Sequence, residues 1–217
     1  MTNRQEDRQE QSTWRMIQTW AAKAVNAVEL LPVEGSKGEE EIARLKLSLR
    51  STLGAVAQYT GGILVQHGWL RILGSGSPRL PRRLTEWNEG TLELTERRLD
   101  GALLVADDVM GGFFALNFGA FDGGHGDVYY FAPDTLKWER FGVPYSDFLE
   151  WAFSGDLDLF YETFRWPGWK EELERVQGDQ AFSVYPPLCM SGEQIQKRSR
   201  AIVSVEEVWG LTAGGRA

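Results

Sequence analysis

A change of hydrophobic period constrains this 217-residue chain more than any other feature. Apolar residues recur at helical spacing near the N-terminus, give way to strand-like runs, and return to helical spacing after Pro144. The runs 102–106, 112–117, 127–131 and 136–141 are separated by turn signals at Asp107-Asp108, Asp122-Gly123-Gly124 and Pro133-Asp134. A parallel return needs a dozen or more residues, so strands this closely joined are antiparallel neighbours. A four-strand meander between two helical regions predicts an α+β fold, with helices at both ends of the chain and an antiparallel sheet between them.

Ser12 and Thr13 offer an N-cap, and Trp14, Ile17, Ala21, Ala24, Val25, Val28 and Leu31 follow at helical spacing as far as Pro32. Residues 1–36 are therefore expected to form a peripheral N-terminal helix, and 37–217 a single α+β domain. Trp14 and Trp20 on an amphipathic helix leave room for a homodimer. Shorter helices are expected near 38–47, 52–59 and 81–88, and two short strands at 63–65 and 69–73 around His67-Gly68. Beyond Pro144, Tyr145, Phe148, Leu149 and Ala152 make one apolar stripe, and Leu157, Phe160, Tyr161 and Phe164 another. A helix over 167–176 has Pro167 in its first turn, and Ser204-Val205-Glu206-Glu207 is a capping box.

Charge narrows the function classes. The net charge of −8 lies wholly in residues 101–165, where Lys137, Arg140 and Arg165 face eleven acids. Nucleic acid would be repelled from such a surface, because binding it rests on Lys and Arg neutralising phosphates. An acidic face instead attracts a basic partner. No run approaches the ~20 apolar residues of a membrane span, and the polar first ten residues lack the apolar core of a secretory signal. The lone Cys189 fits a reducing interior, so a cytoplasmic location is expected.

Motifs for chemistry are scarce. Two histidines and one cysteine are too few for a Cys/His zinc site. Gly74-Ser75-Gly76 is followed by Arg79 where a dinucleotide fingerprint needs its third glycine, and neither a P-loop nor a GxSxG elbow occurs. No cofactor and no metal are expected. The best enzyme-like constellation is Asp107, Asp108, Asp122, His125 and Asp127 at the meander turns. If two turns met, their carboxylates would suit a divalent cation and His125 a general base, as in a metal-assisted hydrolase. Asp and Gly are also simply the residues that turns require. Core packing accounts for most of the nine tryptophans. The leading expectation is a non-enzymatic interaction protein binding a basic protein partner. Asp107, Asp108, Asp156 and Asp158 would be its electrostatic contacts, with Trp69 and Trp151 as anchors.

The chain also resembles a known family. Leu53-Gly54-Ala55-Val56, Tyr59-Thr60-Gly61-Gly62, Gly68-Trp69-Leu70-Arg71 and Ala106-Asp107-Asp108-Val109 carry the likeness. It continues through 111–117, 128–136, Gly155-Asp156-Leu157 and Arg165-Trp166-Pro167-Gly168-Trp169. These stretches resemble the bacterial domain of unknown function 2625, which implies no particular activity. Two departures from that family's pattern are Ser48-Leu49-Arg50-Ser51, where members often read Thr-Thr-Arg-Ser, and Cys189, where members often have Trp. The Gly-Gly before short strands, Phe113-Phe114-Ala115-Leu116, Tyr129-Tyr130 and Ser146-x-Phe148-Leu149 also resemble the SUKH superfamily. That likeness implies a curved antiparallel sheet, no catalytic residues and an immunity-like, partner-binding role.

Overall fold

The computed structural model describes residues 2–89 and 98–214, with residues 2–11 described by their backbone course alone. A long helix, α1 (Thr2–Ala22), leads into strand β1 (Val28–Leu31) and helices α2 (Lys37–Leu45) and α3 (Thr52–Tyr59). Strands β2 (Gly62–Val65) and β3 (Leu70–Leu73) and helix α4 (Leu84–Asn88) follow. Next come β4 (Ala102–Asp108), β5 (Phe113–Asn117), β6 (Asp127–Ala132) and β7 (Lys137–Pro144). The chain continues through α5 (Tyr145–Ser154), α6 (Leu157–Phe160), α7 (Trp169–Leu173), a hairpin of β8 (Gln180–Tyr185) and β9 (Ser199–Ser204), and α8 (Val205–Leu211).

The fold is α+β, and its meander is longer than the four strands expected. Seven strands lie in the order β1 to β7, each antiparallel to the next, in an open sheet. The predicted N-terminal helix is where the reading fails. It ends at Ala22, and residues 28–31 pair with β2, Val28 opposite Val65 and Leu31 opposite Gly62. Val25, Val28 and Leu31 continue the helical spacing, but partners distant in sequence decide the outcome. The side-chain amide of Asn26 donates to the carbonyls of Ala152 and Gly155, both at 3.0 Å, and its backbone N–H donates to that of Phe153 at 2.9 Å. Those contacts satisfy carbonyls at the C-terminal end of α5 and turn the chain out of α1.

The sheet is covered on both faces, which is why β5 is buried throughout instead of alternating. Phe113 points to one layer, where its ring meets Trp87 of α4 and Trp209 of α8, and Phe114 points to the other, against Phe148 and Trp151 of α5. Helix α3 begins where the family departure lies: Ser51 caps it by accepting from the Gly54 N–H at 3.0 Å. Ser204 caps α8 in the same way, as its capping box predicts. The β8–β9 hairpin, absent from the sequence reading, docks on the β4–β5 turn through the Phe182 N–H and the Val109 carbonyl at 2.7 Å. Among the described residues no helix is long and apolar enough to cross a membrane.

Candidate functional site

Register builds the most polar part of the interior. Antiparallel pairing of β3 with β4 sets Arg71 directly opposite Asp107. The Arg71 guanidinium reaches Asp107 Oδ1 from Nε at 2.7 Å and from Nη2 at 2.6 Å. The other oxygen, Oδ2, pairs with Arg82 Nη1. Arg82 also donates to the Gly178 carbonyl, and Arg71 to the carbonyls of Gln180 and Asp108. Arg71 is 1% exposed and Asp107 0%, so both charges have left water and depend on one another. Burial lowers the Arg71 pKa, and Asp107 opposes that shift.

Asp108 meets different partners. Its Oδ1 accepts from the backbone N–H groups of Met110 and Gly112 at 2.8 and 2.9 Å, and its Oδ2 from the Tyr130 hydroxyl at 3.0 Å. Burial raises its pKa, these hydrogen bonds oppose the rise, and the neighbouring Asp107 adds to it. Gly112 must be glycine for steric reasons, since a Cβ there would overlap Asp108 Oδ2 and the Tyr130 ring. Burial and the Asp108 charge together hold the hydroxyls of Tyr130 and Tyr161 well above the ordinary phenol range.

Trp69 stands next to this cluster, with rings of Tyr161, Trp166 and Trp169 within 4.9–6.1 Å. Arg165 lies against the faces of Trp69 and Trp169, 4.8 and 4.3 Å from their centroids. Its outer end pairs with Asp158 at 2.5 Å and with Gln66 Oε1. Arg165 therefore connects an exposed carboxylate to a buried aromatic wall.

The structure divides the expected contact residues. Asp107, Asp108 and Trp69 are not on the surface: they are 0%, 1% and 0% exposed. The two aspartates close strand β4, and the turn is made by Val109–Gly112 instead. Trp151 is half-buried among Phe114, Phe141, Phe148 and Phe160. Asp156 and Asp158 are exposed, Asp156 capping α6 through the Leu159 N–H at 2.9 Å. The meander-turn constellation does not assemble. Asp107 and Asp108 precede β5 and Asp122, His125 and Asp127 follow it, so the two groups sit at opposite ends of that strand. Among the described residues no group of three or more His, Cys, Asp or Glu is placed to hold a metal ion. Sequence reasoning passed over Arg71, Arg82, Tyr130 and Arg165 as parts of a site. The signal for Arg71 was its charge inside the apolar run Trp69-Leu70-Arg71-Ile72-Leu73.

Asp156 and Asp158 belong to a different surface. From Phe141 to Phe164 the chain holds five acids and no Lys or Arg. Asp147 and Glu150 are exposed on α5, and Asp156, Asp158 and Glu162 on and around α6. Among the last three lies Leu159, 67% exposed.

An open seven-stranded meander with helices on both faces and a buried Arg–Asp–Arg cluster defines an α+β class. The chain belongs to the family described as protein of unknown function DUF2625, whose pattern matches residues 5–208. It is 45% identical over 202 residues to the uncharacterised protein YbfG of Escherichia coli strain K12, covering 93% of this chain and 91% of that protein. It is 37% identical over 198 residues to an uncharacterised protein of Haemophilus influenzae strain Rd, covering 91% and 87%. No solved structure matches the chain. Several stretches that carry the family likeness, 68–71, 106–109, 111–117 and 165–169, meet at the buried cluster.

Proposed function

We propose that this is a cytoplasmic, non-enzymatic interaction protein that binds a basic protein through the α5–α6 surface, in the immunity-like manner the SUKH resemblance implies. The observation that carries the reading is Leu159, a large apolar side chain left 67% exposed between Asp156, Asp158 and Glu162. An apolar anchor inside a charged rim is how specific protein interfaces concentrate binding energy. The five acids along 141–164 add long-range attraction for a positively charged partner. Asp107, Asp108 and Trp69 have no direct part in this surface, since all three are buried.

The test is affinity capture from host lysate at low and high salt, using the wild type and the triple variant Asp156→Asn, Asp158→Asn, Leu159→Ala. Asparagine keeps the α6 cap, so the fold is retained. The reading expects one dominant basic protein, lost at high salt and lost with the triple variant. Equal capture by the variant, or no specific capture by the wild type, would overturn it.

A further inference from the structure

The β8–β9 hairpin leaves part of one strand edge unpaired, and an apolar groove lies along it. In an antiparallel pair, successive residues turn their backbone N–H and C=O groups alternately toward the partner strand and away from it. Phe182 stands opposite Ile202 of β9, yet its N–H donates to the Val109 carbonyl, so Phe182 faces away from β9. Gln180 shares that parity, and its carbonyl accepts from Arg71 on the same outer edge. Val184 shares it too. Its N–H and C=O therefore face outward, and neither has a hydrogen-bond partner among the described residues.

Past Val109 this edge borders a groove of about 350 Å³ between the hairpin, α8 and the β6–β7 turn. Buried Met110 and Phe182 form its floor. Half-buried Leu136, Val184 and Leu188 and the 74% exposed Leu211 form walls that an occupant can touch. Arg198, only 8% exposed, donates to the carbonyls of Pro186, Pro187 and Met190, which fixes the loop that carries Leu188 into the groove. Among the described residues, no Lys, Arg, His, Asp or Glu lines it. A charged occupant would lose its water with no counter-charge to meet, so the groove favours an uncharged one. A small apolar molecule would use the walls and leave the Val184 edge unpaired. An extended peptide uses both, main-chain bonds to the edge giving affinity and alternate side chains in the groove giving selectivity.

We infer that this groove takes an extended, uncharged peptide segment of a partner protein, which pairs with the outer edge of β8 at Val184 and sets apolar side chains against Leu136, Leu188 and Leu211. None of these residues belongs to the α5–α6 surface, so neither proposal depends on the other. The probe is a library of acetylated, amidated heptapeptides with Val, Leu, Ile or Phe at alternate positions and Ser or Thr between them. Calorimetry is expected to show saturable binding of at least one member, with a dissociation constant under about 1 mM. N-methylating that peptide at each backbone nitrogen in turn keeps its side chains, and at one position or more it should weaken binding about tenfold through a lost hydrogen bond. Val184→Pro deletes the outer N–H, a change that an edge strand tolerates, and should weaken binding similarly. Cys189→Trp narrows the groove from an exposed position and should abolish binding, with near-ultraviolet circular dichroism showing an intact fold. Cys189 is the single cysteine of the chain, so slower alkylation by iodoacetamide with the peptide present places it in the groove. The inference fails if no member of the library binds, or if every N-methylated form binds as well as its parent, the mark of an apolar pocket only. It also fails if either folded variant binds undiminished.

Discussion

Two pairs of aspartates in the acidic third of this chain have opposite fates. Asp107 and Asp108 close a central strand and are shut away from water, and Asp156 and Asp158 stand in solvent around a four-residue helix. Inside, Asp107 holds two arginines, so its charge is a structural part of the sheet. Outside, Asp158 is 81% exposed and pairs with Arg165, whose side chain is only 9% exposed, so the carboxylate stays in solvent while its partner does not. The difference comes from what faces each residue across the fold, Arg71 on the adjacent strand in one case and open solvent in the other. Negative charge clustered in sequence therefore divides in space into a part that holds the structure together and a part left in solvent.

The buried half of this comparison should break hardest. Asp107→Asn leaves Arg71 and Arg82 with a neutral partner and is expected to destabilise the protein by about 3–5 kcal/mol. That corresponds to a melting temperature lower by on the order of 10 °C, read by calorimetry against the wild type. A loss comparable to that of an exposed aspartate would show that the cluster is not held by charge. Next in size is Gly112→Ala, which forces a methyl against Asp108 and Tyr130. Overpacking of this kind costs about 1–3 kcal/mol, checked by urea denaturation with the slope m monitored for a change of unfolded state.

The sequence made the meander legible because its turns are local. Pro133-Asp134 and Asp122-Gly123-Gly124 announce chain reversal by their own backbone preferences, and the structure reverses at both. The helices 52–59 and 145–154 were legible for the same reason, through patterns contained within one segment. Residues 28–31 were not, because β1 exists only by pairing with β2, more than thirty residues away. The β8–β9 hairpin escaped notice because residues 186–198 separate its strands, too long a connection to signal a turn. Of the site, Asp156 and Asp158 were legible as surface acids, since their partners, the Leu159 N–H and Arg165, lie on the same segment and leave both exposed. Asp107-Asp108 looked like a turn because the pair has a turn's composition. What buries it is Arg71, and no local pattern reports a cross-strand ion pair.

Asp108 sharpens the comparison from within the buried pair. Its pKa is raised from the ordinary carboxylate value, chiefly by burial, so folding favours the protonated form. The stability this contributes is fully present below the unfolded pKa near 4 and is lost as pH rises through the higher folded pKa. Asp108→Asn removes that titration. Its Oδ1 still accepts from Met110 and Gly112, although the Tyr130 hydroxyl loses its acceptor, at a cost of about 1 kcal/mol. The variant should therefore compare least well with the wild type at pH 4 and improve relative to it as pH rises toward 7, followed by urea denaturation at each pH. A difference that stays flat across that range would mean Asp108 titrates alike in both states.

The smallest effect on stability, and the largest on recognition, is expected at the exposed pair. Asp158→Asn removes the charge opposite the largely buried Arg165, which keeps Gln66 and the faces of Trp69 and Trp169. Asp156→Asn keeps the cap on the Leu159 N–H. The double variant should melt nearer the wild type than Asp107→Asn does, because asparagine at 158 still accepts from Arg165 and the loss is about 1 kcal/mol. With a basic partner in hand, its association rate should fall and lose much of its dependence on salt, since rim charges act mainly on encounter. Stopped-flow association at two ionic strengths reads both quantities. If the double variant melted like Asp107→Asn, the exposed acids would be structural after all. The contrast between the two aspartate pairs would then lie only in exposure and not in role.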